Sequence, residues 1–157
     1  IVSSAFVLGG CSGEQKSPTP NKSEAAKEGS LVAEYLAIQT LLADDKVDNL
    51  PQLAASVIAA ADSASGDGVD QITVGAGRTA AQDIATARSG FEKMSMGLIA
   101  YLKVHPELQS GHEVAFCPMA FNNKGAYWVQ AKGELINPYH GKMMLHCGNH
   151  VPWNEAP

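Results

Sequence analysis

A surplus of basic charge is missing from this chain. Among 157 residues, 11 Lys and Arg stand against 16 Asp and Glu, and the formal charge of −5 is spread without long runs. That balance argues against nucleic acid, since phosphate binding needs a basic face. Long hydrophobic runs are missing as well. The stretch Ile1 to Leu8 is apolar but too brief to span a bilayer as a mature helix, and no later stretch reaches that length. Internal repeats are missing, and Gly75-Ala76-Gly77 follows no strand and completes no glycine fingerprint, so nucleotide binding is not expected. Cysteine is scarce, with Cys11, Cys117 and Cys147 making up the whole complement. A chain of this length, less a leader and a tether, buries one core and leaves no room for two ordinary domains.

What is present at the amino-terminal end is a Leu8-Gly9-Gly10-Cys11 sequence closing the apolar run and opening a polar tail. A bacterial lipoprotein signal ends in this way. Residues 1–10 therefore read as a signal truncated at its front, and Cys11 as the lipidated first residue of the mature protein. Ser12 stands where an aspartate would favour inner-membrane retention, so the expected location is the periplasmic face of the outer membrane, with lipid as the only membrane attachment. Residues 11–30 carry Pro18, Pro20 and several Lys and Glu with almost nothing apolar, which predicts a flexible tether. Residues 31–157 form the single domain.

Periodicity predicts a mainly α domain, an antiparallel bundle of three to four helices followed by a small β-hairpin and loop element. Leu31, Tyr35, Ile38 and Leu42 recur at helical spacing up to about Val47. Asp48 is the expected cap of a second helix with Pro51 in its first turn, and Ser65-Gly66-Asp67-Gly68 stops it. Ile84, Ala87, Phe91, Met94, Leu98, Tyr101 and Leu102 mark a longer helix up to His105-Pro106, with Ser89-Gly90 as its candidate break. Beyond Gly111 the period is lost. Val114–Phe116 and Ala126–Val129 read as strands, with Lys132-Gly133 turning into Glu134–Ile136 and Asn137-Pro138 as a plain turn.

The carboxyl-terminal element, residues 112–151, carries the chemistry. Cys117 and Met119 flank Pro118, and Met144 and Cys147 stand three apart, a spacing that puts both on one side of a helical turn. A hairpin between Ala126 and Ile136 would bring the two segments together. Two thiols and two thioethers suit Cu(I) or Ag(I), because polarisable sulfur binds soft monovalent ions far better than hard ones. Met143, His140, His146 and His150 are further candidate donors. Zinc is the competing metal, with Cys117, Cys147, His146 and His150 as two thiolates and two imidazoles, though the spacing fits no paired finger and gives the methionines no purpose. A Cys117–Cys147 disulfide is the remaining alternative. It would stabilise an envelope interaction module by roughly 3–4 kcal/mol. Met94 and Met96 lie in the helix and read as packing, as do Phe121, Tyr127 and Trp128. Cys117 has no visible orienting partner or oxyanion hole, so an enzyme is not expected.

The run Phe116-Cys117-Pro118-Met119-Ala120, then Tyr127-Trp128, then Asn137-Pro138-Tyr139-His140-Gly141-Lys142-Met143-Met144-Leu145-His146-Cys147-Gly148 resembles a small domain of formally unknown function. That domain occurs alone in bacterial lipoproteins and fused to periplasmic adaptor subunits of copper/silver efflux pumps. Arg88, Phe91 and Ser95 in the helical part also fit its pattern. The resemblance implies a metal set of Cys117, Met119, Met144 and Cys147, with Met143, His140, His146 and His150 as local additions. It further implies a copper-binding lipoprotein that sequesters the ion or exchanges it with an efflux adaptor or a copper chaperone.

Overall fold

The computed structural model describes residues 22–157. The proposed leader, Cys11 and the first half of the tether lie outside the described residues. From Lys22 onward the expected tether is instead the opening of α1, Lys22–Ala43. Glu24, Ala25, Ala26, Lys27 and Glu28 are good helix formers, and they let the helix run back past the point where its apolar stripe ends.

The end of α1 comes earlier than the apolar stripe suggests. Asp45 takes a left-handed conformation at φ 60°, the Lys46 N–H bonds to the Leu41 carbonyl at 2.9 Å, and the Asp45 N–H bonds to the Leu42 carbonyl. This pair of bonds satisfies carbonyls that the helix would otherwise leave open. Helix α2, Leu50–Ala61, is preceded by Asn49 in the left-handed region with no side-chain cap, so the expected role of Asp48 passes to a backbone turn. Leu50, Ala54, Val57 and Ala61 form its buried face.

Two further helices extend the packing in chain order, each against the one before it. Helix α3, Val69–Thr79, went unmarked by periodicity because its inner face consists of Ile72 and the small residues Gly75, Ala76 and Thr79. It lies backbone to backbone on α4, Ile84–Val104. A Cβ at Gly90 would come within 2.4 Å of the Thr79 amide nitrogen, and one at Gly75 as close to that of Met94. Gly90 therefore does not break α4. It allows a close helix crossing, and α4 runs unbroken from its Asp83 cap, whose carboxylate accepts from the Thr86 N–H at 2.8 Å. Met94 is fully buried, as its place in the stripe requires, while Met96 is only partly covered.

Beyond a 3-10 turn at Pro106–Gln109 the chain forms a three-stranded antiparallel sheet in the order β2-β1-β3. Strand β1 is His112–Cys117, β2 is Ala126–Ala131 and β3 is Asn149–Val151. The hairpin joins β1 to β2, with Cys117 opposite Ala126. Glu134–Ile136 is not a strand, so the expected hairpin over Ala126–Ile136 is corrected. Gln130 supplies the reason: its side chain is buried, accepts the Ile136 N–H at 3.1 Å and donates to the Glu134 carbonyl at 2.9 Å, replacing a strand ladder.

The sheet is welded to the bundle by tyrosines. The Val129 N–H on the outer edge of β2 donates to the Tyr35 hydroxyl at 3.0 Å, and the Tyr139 hydroxyl donates to the Tyr127 carbonyl on the same edge. An edge strand is thus covered by side chains rather than left open for pairing. Tyr35 stacks on Phe91 at 4.8 Å and shares a 2.7 Å hydrogen bond with Ser95. Helices and sheet share one continuous core that includes Leu98, Val114, Cys117, Trp128 and Tyr139.

Candidate metal centre

Cys117 ends β1 with its side chain wholly buried, and Cys147 sits in the loop leading into β3, partly exposed. Their sulfur atoms are 3.4 Å apart and both thiols are free. Sheet register explains the approach. Phe116 pairs with Asn149, so the residues just before β3 pass over the end of β1. Gly148 lies against the strand at φ +143°, where a Cβ would meet the Phe116 carbonyl oxygen at 2.8 Å. A larger residue there would lift the loop and separate the thiols.

The loop itself is held by a fully buried asparagine. The Asn137 Nδ2 donates to the Cys147 carbonyl at 2.8 Å, and its Oδ1 accepts the Tyr139 and His140 N–H groups. The Asn137 N–H donates to the Leu145 carbonyl at 2.7 Å. Asn137-Pro138 is therefore more than the plain turn expected, because it fixes the backbone at Cys147. Arg88 fastens the same loop from α4, donating to the Pro138 carbonyl at 2.7 Å, the Leu42 carbonyl at 3.0 Å and the Asp45 carboxylate at 2.7 Å. Asp45 in turn accepts the Lys142 N–H at 3.0 Å. Arg88, Phe91 and Ser95 fall on one face of α4, and all three serve the carboxyl-terminal element.

The methionines are arranged differently from the expectation. Met144 and Cys147 do not share a helical turn: the 3-10 turn stops at Met143, Met144 leaves it at φ −144° and ψ 52°, and a bond from the Cys147 N–H to the Met144 carbonyl closes a turn. That turn still keeps the two Cα atoms within about 7 Å. Met144 is half-buried, whereas Met143 is 84% exposed. Met119 is 47% exposed and lines a cavity of about 540 Å³ with Arg88, Phe121, Tyr139 and His140. Phe121, Asn122 and Asn123 follow it in three consecutive left-handed conformations, at φ 50°, 59° and 64°. Such a turn costs about 1–2 kcal/mol at Phe121 and less at the asparagines, whose side chains tolerate that region.

The histidines point to separate places. The His146 Nδ1 is 2.8 Å from the Leu135 carbonyl, and the His150 Nδ1 is 3.1 Å from the Glu113 carboxylate. His140 Nε2 is buried with no hydrogen-bond partner among the described residues. Among the described residues no three His, Cys, Asp or Glu side chains gather around one point, so the four-ligand zinc set is not assembled.

Electrostatics favour a protonated Cys147 thiol. The hydrogen bond with Cys117 raises the pKa of Cys147, with burial and the neighbouring thiol's charge adding to it. Burial pushes the Tyr139 phenol well above its ordinary value, and the nearby Tyr35 adds to the shift. Tyr139 is therefore a neutral hydrogen-bond donor rather than an anionic ligand. Gln130, Asn137 and Tyr139 escaped the sequence reading as positioning groups. The readable signal was a Gln closing an apolar strand and an Asn two residues before a Tyr in a turn. Compared with protein-family models, curated proteins and solved structures, the chain matches none.

Proposed function

We propose that this chain binds Cu(I), and Ag(I) as its chemical analogue, at Cys117 and Cys147 with Met119 and Met144 as thioether donors. Its role is that of a lipid-anchored periplasmic protein that sequesters the ion or passes it to an efflux adaptor or copper chaperone. The observation that carries the reading is the thiol pair at 3.4 Å, held by Asn137 and by the β1–β3 register, with each cysteine within three residues of a methionine. Thiolates and thioethers are the ligands that a soft monovalent ion prefers. Both thiols must lose their protons to bind, so affinity rises with pH. A half-exposed Met119 leaves one side of the donor set reachable, which suits stepwise ligand exchange with an acceptor. His146 and His150, each turned to another partner, lend zinc no support.

Competition titration of Cu(I) against a chelator of known affinity tests the donor set. Met119→Leu and Met144→Leu keep apolar volume nearly constant while deleting a donor. Each should weaken Cu(I) by about tenfold or more, equivalent to about 1.4 kcal/mol, while leaving zinc affinity nearly unchanged. Cys117→Ser and Cys147→Ser should weaken both metals. Wild-type Cu(I) affinity in both Met→Leu variants would overturn the thioether assignment. Anchoring is tested separately, by release of a Cys11→Ala chain from membranes on fractionation.

A further inference from the structure

The thiol pair has the geometry for a second chemistry. A disulfide needs its sulfur atoms about 2.05 Å apart, so the separation of 3.4 Å would have to close by about 1.4 Å. Cys117 lies within β1 and Asn137 holds the Cys147 backbone, so the closing movement falls to side-chain rotation, for which the partly exposed Cys147 has the more room. Pairing of Phe116 with Asn149 holds the two segments together whether or not the sulfurs are joined. Exposure is unequal: Cys117 is fully buried and Cys147 is only partly so, which makes Cys147 the thiol that an external reagent meets first.

We infer that Cys117 and Cys147 are a reversible disulfide site, and that closing the bond shuts the metal centre. The inference rests on reading the pair as Cu(I) donors. The oxidant is a disulfide, either of low molecular weight or on a protein. The Cys147 thiolate attacks one sulfur of that disulfide, forming a mixed disulfide and expelling one thiolate. The Cys117 thiolate then attacks the Cys147 sulfur, forming the internal bond and expelling the second thiolate. The two protons lost by the cysteines go to the two expelled thiolates, the oxidant is reduced by two electrons and the protein is oxidised by two. A disulfide offers no thiolate, so the oxidised centre cannot hold the ion, and a bound ion occupies the sulfur electron pairs that oxidation needs. The two events therefore oppose each other through a reciprocal coupling.

The test uses the Cys11→Ala chain, so that these two thiols alone are counted. Reduced, metal-free protein is equilibrated anaerobically in mixtures of reduced and oxidised glutathione, then alkylated and weighed by mass spectrometry. Both thiols should vanish together in a monomer lighter by two hydrogens and return on reduction. Chelator competition should give the oxidised form a Cu(I) affinity at least about 100-fold lower, and Cu(I)-loaded protein should keep both thiols in a mixture that oxidises the metal-free form. Persistent free thiols, or only glutathione adducts and intermolecular dimers, would overturn the disulfide. Equal Cu(I) affinity in the two forms would overturn the gate. If the internal bond forms but the reduced protein binds no Cu(I), the metal reading fails while the disulfide site stands.

Discussion

The acidity of the Cys147 thiol is governed first by one neighbour. The Cys147 pKa is raised first by its hydrogen bond with Cys117, so in the metal-free protein its thiolate forms at higher pH than for an ordinary cysteine. Cys117→Ala removes that bond and the neighbouring charge. The alkylation rate of Cys147, followed against pH by mass spectrometry, should then shift toward lower pH. An unmoved profile would mean that burial alone sets its reactivity. Asn137 acts on the backbone of the same residue. Asn137→Ala leaves the Cys147 carbonyl and the Tyr139 and His140 N–H groups without their partner in a buried setting. A loss of about 1–3 kcal/mol in denaturant unfolding is expected, together with weaker Cu(I) binding.

Among the elements, the contact that decides the loop's position is the one between α4 and residues 137–144. Arg88 bridges the end of α1, Asp45 and the Pro138 carbonyl from a side chain that is 15% exposed. Arg88→Met keeps the aliphatic stem and removes three hydrogen bonds, so a destabilisation of about 2 kcal/mol is expected in chemical denaturation. The pair also gives the fold an acid-sensitive limb. The hydrogen bond from Arg88, followed by that from the Lys142 N–H, holds the Asp45 carboxyl below its ordinary pKa. A lowered folded-state pKa contributes stability that is present above the unfolded value and is lost as pH falls through the folded value. Stability measured from neutral pH down into the acid range should fall less steeply in Asp45→Asn than in the wild type. Because Asp45 is 41% exposed, the difference should be modest and should shrink in salt.

For the whole molecule, one continuous core means that the helices are not a free-standing scaffold. Tyr35, Phe91 and Ser95 face Trp128, Val129 and Tyr139, so removing the sheet uncovers the centre of the bundle. A chain ending at Ser110 should keep helical far-ultraviolet circular dichroism but lose cooperative unfolding and bind a hydrophobic dye, the behaviour of a compact state without fixed packing. A sharp unfolding transition at wild-type stability would show that α1–α4 pack sufficiently without the sheet. The same continuity ties the thiol pair to the helical core: β1 carries Cys117, β3 pulls the Cys147 loop across it, and α4 anchors that loop through Arg88.

Local pattern alone made much of this legible. The stripes in α1, α2 and α4, the two strands around Val114–Phe116 and Ala126–Val129, and the burial of Met94 follow from periods of 3.6 and 2, which any segment carries in its own residues. The residues that could serve a soft metal were equally visible, because sulfur chemistry belongs to the side chain wherever it lies. Helix α3 was hidden because its inner face is largely glycine, alanine and threonine. Small residues give no hydrophobic period and acquire meaning only when a second backbone lies against them, as α4 does at Gly75 and Gly90. The 30-residue gap between Cys117 and Cys147 was closed by a third strand too short to announce itself and by a buried asparagine, both of which act through partners distant in sequence. Residue chemistry is written locally, but the separation of two sulfur atoms depends on everything folded between them.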